Sequence, residues 1–174
     1  IVSGTGMIGI FAVKLLVISG AGKIIALDTD PQKLKGAMEC GAGYVFDPSA
    51  KDLASEVASM TSSRGADISF EAAGTGESVN TLIDLTRKGG TVVLIGNTSK
   101  TIDFPLQKVV TRELRIQGSC AIRGEYDAVL SLLESRKLVV RDQISAIAPL
   151  SEGAEWFARL YRKEWKPGKV ILVP

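Results

Sequence analysis

The sequence contains no histidine. That absence removes the commonest general base and the commonest transition-metal ligand, so chemistry that needs either has to draw it from outside these residues. Cysteine is nearly missing too: Cys40 and Cys120 stand 80 positions apart, with no Cys-x-x-Cys pair, no metal-ligand spacing and no disulfide framework. A reducing compartment follows as the default, and the cytoplasm is the expected location. No long apolar run survives interruption, because Met7 to Ile18 is broken by Gly9 and Lys14, so no segment is expected to span a membrane. Neither sign of charge dominates: 21 Lys and Arg against 19 Asp and Glu leave +2, and no nucleic-acid partner is expected. Catalytic constellations are also missing. Ser/His/Asp and Cys/His sets cannot be built, and no Gly-x-x-x-x-Gly-Lys-Ser/Thr loop occurs. Tyr-x-x-x-Lys is excluded, since the residues four after Tyr44, Tyr126 and Tyr161 are Pro48, Leu130 and Trp165.

What is present is ordinary globular composition, 45% apolar and 23% charged over 174 residues, enough for one well-buried core with a smaller appendage. The chain opens Ile1-Val2-Ser3 and runs directly into Gly4-Thr5-Gly6-Met7-Ile8-Gly9. That leaves about three residues where a strand usually has five or six, so the first strand is expected to be cut short, with further sequence preceding it.

Strand and helix signals then alternate. Met7 to Ile18 is a helix ended by Gly20 and Gly22, and Lys23 to Asp28 is a short apolar strand. Asp30 can cap a helix that has Pro31 at its first position and runs to about Cys40. Tyr44 to Phe46 is a strand, and Asp47-Pro48-Ser49 is expected to open a helix through about Met60. Ala66 to Glu71 follows as a strand, Glu77 to Arg87 as a helix, Lys88-Gly89-Gly90 as a turn, Thr91 to Gly96 as a strand and Leu114 to Gly118 as a sixth strand. Alternation of this kind implies parallel strands with right-handed helical crossovers, so the fold class is α/β with a doubly wound parallel sheet.

From Gly124 the pattern changes. A helix to Glu134, a strand from Ile144 to Leu150, a helix from Ser151 to Lys163 capped by Ser151, a Pro167-Gly168 turn and a strand from Lys169 to Val173 make a C-terminal appendage. The domain reading is 1–122 for the sheet domain and 123–174 for the appendage. Trp156, Phe157, Leu160 and Tyr161 are expected to form one buried helix face, and Arg162, Lys163 and Lys166 a solvated surface.

Gly4-x-Gly6-x-x-Gly9 alone is a weak signal, but here it follows a strand, opens a helix and is succeeded 19 positions after Gly9 by Asp28 at the end of the next strand. In such a unit Gly4 permits the tight turn, Gly6 lets the backbone approach a pyrophosphate at the helix N-terminus, and Gly9 allows close helix-on-strand packing. Asp28 would accept the adenosine ribose hydroxyls and repel a 2′-phosphate, which favours NAD over NADP. The nearest cation after it is Lys33. Ligands of open α/β sheets lie at the carboxyl ends of the strands. The loops Ala72-Ala73-Gly74 and Gly96-Asn97-Thr98 are therefore either cleft walls with glycine where a cofactor passes or plain strand-to-helix turns.

Several segments together resemble the zinc-containing medium-chain dehydrogenases, in their sorbitol, polyol and alcohol dehydrogenase branch. They are Val2 to Gly9, Ala26-Leu27-Asp28, Phe70-Glu71-Ala72-Ala73-Gly74, Gly89 to Gly96 and Gly168-Lys169-Val170-Ile171. The resemblance covers essentially the whole chain in order and corresponds to the second half of that family's chain. It implies NAD(P)-dependent oxidation of a primary or secondary alcohol, with zinc ligands supplied by the other half. It also implies that Gly4, Gly6, Met7 and Gly9 hold the pyrophosphate, Ile8 packs behind the nicotinamide, Asp28 and Lys33 bind the adenosine ribose, and Ala73 borders the adenine. Ile95, Gly96 and Ser119 would border the nicotinamide, and Lys169 would stand where many relatives place an arginine on the pyrophosphate. Without histidine, neither a catalytic nor a four-cysteine zinc site can be built here, so this chain alone is expected to be silent. No residue of it is assigned a catalytic or metal-binding role. The resemblance further implies a homodimer or tetramer formed through the edge strand 114–119, and a C-terminal segment packed on the other half. A stand-alone NAD-sensing module is the competing reading, and a methyltransferase a third, which the three-glycine spacing disfavours.

Overall fold

The computed structural model describes residues 1–162, 164 and 168–174. They form two compact units, Ile1–Gly124 and Glu125–Pro174. The expected Pro167-Gly168 turn, the helix end at Lys163 and the solvated Lys163 and Lys166 involve residues outside the described ones.

In the first unit β1 (Val2–Ser3), α1 (Met7–Ile18), β2 (Ile25–Leu27), α2 (Pro31–Glu39), β3 (Tyr44–Phe46) and α3 (Leu53–Met60) form the first half. The second half is β4 (Ala66–Glu71), α4 (Gly76–Leu85), β5 (Thr86–Leu94), α5 (Leu106–Thr111) and β6 (Arg115–Gly118). The six strands are all parallel and lie in the order β3-β2-β1-β4-β5-β6. This is the doubly wound sheet the alternation predicts. Its order reverses between β1 and β4, where a crevice opens at the carboxyl ends of the strands.

Consecutive side chains of a strand point to opposite faces, and the core divides accordingly. Ile1, Ile25 and Leu27 join Leu53, Val57, Leu82 and Ile83 in one cluster, whereas Val2 and Ala26 join Ile10, Val13, Ala37 and Ala42 in the other. Because both faces are covered there, β2 carries apolar residues at every position.

Local signals worked where a side chain had one job. Asp30 accepts the Gln32 N–H at 2.8 Å and caps α2, with Pro31 in its first turn. Asp47 does not open a helix: its carboxylate takes the N–H and hydroxyl of Ser49 at 2.8 and 2.6 Å, closing a turn, and α3 starts only at Leu53. α4 stops before Arg87 because Thr86 is extended and already in the sheet opposite Ala66. Its hydroxyl meets the Leu82 carbonyl at 2.6 Å and Ser69 Oγ at 2.7 Å. The expected Lys88-Gly89-Gly90 turn is thus an irregularity inside β5, between the Ala66–Thr86 and Ile68–Thr91 pairs.

The second unit contains α6 (Tyr126–Glu134), β7 (Ile144–Pro149), α7 (Gly153–Tyr161) and β8 (Lys169–Val173), with β7 and β8 paired in parallel. Ser151 lies in a 3-10 turn ahead of α7 and does not cap it. Nor do the four apolar residues of α7 share a buried face. Trp156 is buried, with the Arg159 guanidinium 4.6 Å from its ring centre, but Phe157 is 74% and Tyr161 91% exposed. Steps of one residue turn a helix by about 100°, so Phe157 and Tyr161, one turn apart, point away from Trp156. No helix among the described residues is long and apolar enough to cross a membrane.

Candidate functional site

Two sizeable clefts lie at opposite ends of the first unit's sheet. One, of about 500 Å³, sits at the amino ends of the strands, between Ile1, Lys23, Arg64 and Asp67. The other, of about 440 Å³, lies at the carboxyl ends, lined among others by Gly4, Gly6, Asp28, Lys33, Ala73 and Glu77. The second is the candidate site, because loops and helix N-termini that can hold a ligand gather at that end.

The glycine turn is built for close approach. Gly4 has φ +85°, and a Cβ there would sit 2.6 Å from the Ala73 nitrogen. A Cβ on Gly9 would lie 1.9 Å from the Gly4 carbonyl oxygen, so α1 rests directly on the turn. Gly6 is different in kind: nothing lies within 4 Å of where its Cβ would be. It stands at the start of α1, whose first turn carries no acidic residue and no side-chain cap. The unpaired N–H groups of that turn and the helix dipole favour an anion there. Met7, the first helical residue, is half-buried, and Ile8 is exposed.

Asp28 is buried and tied to the turn. Its Oδ2 accepts the backbone N–H of Thr5 at 2.8 Å and the Thr5 hydroxyl at 3.2 Å, and its Oδ1 accepts the Asp30 N–H at 3.0 Å. Lys33 Nζ stands 3.8 Å from Oδ1. A carboxylate offers about four acceptor positions, so Oδ1 keeps room for one further donor on the cleft side. Asp28 therefore has a structural task that sequence reasoning missed: it fixes the glycine turn to the end of β2.

Ile8 and Ile95, both expected against the nicotinamide, line one apolar depression of about 360 Å³ with Phe11 and Phe70. Ser119 follows β6 and its N–H reaches the Leu94 carbonyl at 2.9 Å, which places it at the same end of the sheet. Gly96 and Gly74 are needed by each other. A Cβ on Gly96 would lie 2.2 Å from the Gly74 nitrogen, and one on Gly74 would lie 2.5 Å from the Thr98 nitrogen. These glycines thus serve loop-on-loop packing, which is compatible with either reading of the loops. Lys169 belongs to the second unit, as the first residue of β8. Pro48, Thr75, Glu77, Ser78 and Thr81 also line the cleft, and no motif marked them in the sequence.

Zinc does not fit this chain. There is no histidine, Cys40 and Cys120 are far apart in sequence and joined by no disulfide, and the described residues hold no group of three His, Cys, Asp or Glu side chains placed for a metal.

A family model described as zinc-binding dehydrogenase matches residues 8–135. Among curated proteins, D-xylulose reductase A of Aspergillus oryzae is 31% identical over 176 aligned positions, covering 98% of this chain and 48% of its own length. Among solved structures, the alcohol dehydrogenase TADH of Thermus sp. ATN1 superposes with a TM-score of 0.89 at 30% identity, covering 99% of this chain and 49% of that one. The L-idonate 5-dehydrogenase of Escherichia coli gives 0.88 at 29% identity, with the same coverages. The chain spans about half the length of the relatives it matches. Two of the three are named dehydrogenases and one a reductase; neither a sensing module nor a methyltransferase is among them.

Proposed function

The chain belongs to the zinc-binding dehydrogenase family, and from that premise we propose that it is the cofactor-binding half of a zinc-dependent dehydrogenase that oxidises alcohols or polyols with NAD. The observation that carries this is the carboxyl-end cleft, where the open approach at Gly6 and the buried Asp28 carboxylate share one wall. Gly4, Gly6, Met7 and Gly9 would present the start of α1 to the pyrophosphate. Asp28 and Lys33 would take the adenosine ribose and Ala73 would border the adenine. Ile8, Ile95, Gly96 and Ser119 would surround the nicotinamide, which when bound accepts hydride from the alcohol carbon. Lys169 would contribute a basic contact to the pyrophosphate. Negative charge at Asp28 argues for NAD over NADP.

Zinc ligands have to come from outside these residues, so the 174 residues alone bind cofactor without turning over alcohol. The second unit would pack on that other half: its two-stranded sheet is short of a stable sheet by itself, and Phe157, Tyr161 and Ile147 are all more than half exposed. β6, at the sheet edge, would pair with its copy in a dimer or tetramer. A monomer mass independent of concentration in sedimentation equilibrium counts against that pairing. That Cys40 and Cys120 form no disulfide suits a cytoplasmic setting.

Titration calorimetry with NAD and NADP tests the reading. Saturable binding of NAD, stronger than that of NADP and without alcohol oxidation, is expected. No binding of either nucleotide, or zinc-dependent turnover by these residues alone, refutes it.

A further inference from the structure

Glu71 ends β4 with no exposed surface, and the proposed cofactor contacts leave it without a role. Its Oε1 accepts the N–H groups of Ala73 and Gly74 at 2.9 and 2.8 Å, and Oε2 takes the Gly74 N–H at 3.1 Å. Its backbone carbonyl accepts the N–H groups of Ile95 and Gly96, both at 2.9 Å. Oε2 lies where a Cβ on Gly96 would come within 2.7 Å of it. The Thr98 hydroxyl adds an outer tie at 3.2 Å, to the Ala73 carbonyl.

One buried residue therefore joins two loops: 72–75, which carries Ala73, and the loop after β5, which begins with Ile95 and Gly96. Ala73 in turn stands against Gly4. Burying a carboxylate is costly unless its lone pairs are filled; the Ala73 and Gly74 N–H groups fill them and hold the first loop, while the second hangs on the Glu71 backbone carbonyl and packs Gly96 against Oε2.

We propose that Glu71 is a positioning residue that clamps the adenosine side of the cleft to the nicotinamide side, so that a dinucleotide meets both at a fixed separation. The inference rests on the dinucleotide reading of the cleft. In Glu71→Gln the orientation that keeps an oxygen on Ala73 and Gly74 turns the amide nitrogen toward Gly96 and the Gly74 N–H, donor against donor. The seam between the loops is what loosens.

The experiment compares calorimetric dissociation constants for ADP and NAD in the protein as it stands, in Glu71→Gln and in Thr98→Val. ADP reads the adenosine and pyrophosphate part, whereas NAD needs both sides. The clamp predicts that Glu71→Gln weakens NAD about tenfold and ADP less than threefold, and that Thr98→Val weakens NAD about threefold with ADP and the melting temperature unchanged. A role confined to folding moves both ligands by the same factor, or neither, and overturns the clamp. If Glu71→Gln does not fold, Thr98→Val decides alone: a shifted NAD to ADP ratio supports the clamp and an unshifted one overturns it. An unsubstituted protein that binds neither nucleotide fails at the dinucleotide reading itself, and the clamp falls with it.

Discussion

Gly6 and Gly9 carry the same letter in one motif, but the structure gives them opposite reasons, and alanine separates them. At Gly9 a Cβ would meet the Gly4 carbonyl oxygen at 1.9 Å and its carbon at 2.9 Å. The obstacle is backbone, so α1 has to withdraw from β1 by roughly 1 Å before the pair reaches a tolerable distance. Overpacking of this sort costs about 1–3 kcal/mol or more, and the gain in helix propensity from glycine to alanine returns at most about 1 kcal/mol. The net expectation is a loss of about 2 kcal/mol, or roughly 4–8 °C in Tm for a chain of this size. At Gly6 φ is −65° and ψ −167°, backbone that any residue adopts, and nothing lies within 4 Å of the added methyl. Stability should stay within about 0.5 kcal/mol. The methyl does occupy the approach of a pyrophosphate to the start of α1. Losing one charge-assisted hydrogen bond there, about 1.5–3 kcal/mol, raises the Kd for NAD by about 10- to 100-fold. Thermal unfolding followed by circular dichroism and calorimetry with NAD read the two effects on the same samples. Gly6→Ala that binds NAD like the parent, or Gly9→Ala that melts like the parent, refutes the assignment.

One further outcome follows from a named group. Asp28→Ala should weaken NAD by about tenfold or more and NADP by less, because the ribose loses its acceptor while the 2′-phosphate loses a repelling charge; equal losses in calorimetry remove the selectivity argument.

The sheet was readable because its strands are buried on both sides. Ile25-Ala26-Leu27 and Val92-Val93-Leu94 are apolar at every position, and the helices between them are long enough to impose parallel pairing. Boundaries were readable where one side chain had one possible partner, as with Asp30 on Gln32. They were not where a polar residue could choose. Asp47 spends its carboxylate on Ser49 and delays α3, and Thr86 bonds across to Ser69 and ends α4 early. In each case the choice is made by a residue brought up by the fold or by a turn that competes with the helix, which pattern along the chain does not encode.

The site was half readable for a related reason. A glycine in sequence says only that a side chain is unwelcome, not what takes its place. Open space does so at Gly6, the chain's own backbone at Gly9, and the facing loop at Gly74 and Gly96. Acidic residues carry the same ambiguity. Asp28 follows the apolar β2 and Glu71 ends β4, the two strands flanking β1, both at the carboxyl end of the sheet, and only the first was singled out, because spacing from the glycine motif pointed to it. Yet both carboxylates are buried and both take backbone N–H groups of a cleft loop. What distinguishes them is remaining capacity. Oδ1 of Asp28 keeps an acceptor position toward the cleft, beside Lys33, while both Glu71 oxygens are turned to Ala73, Gly74 and Gly96. An acidic residue that ends a buried strand just before a glycine loop is thus a legible signal for a loop anchor; whether it also meets the ligand is decided by how many of its lone pairs the loop has already taken.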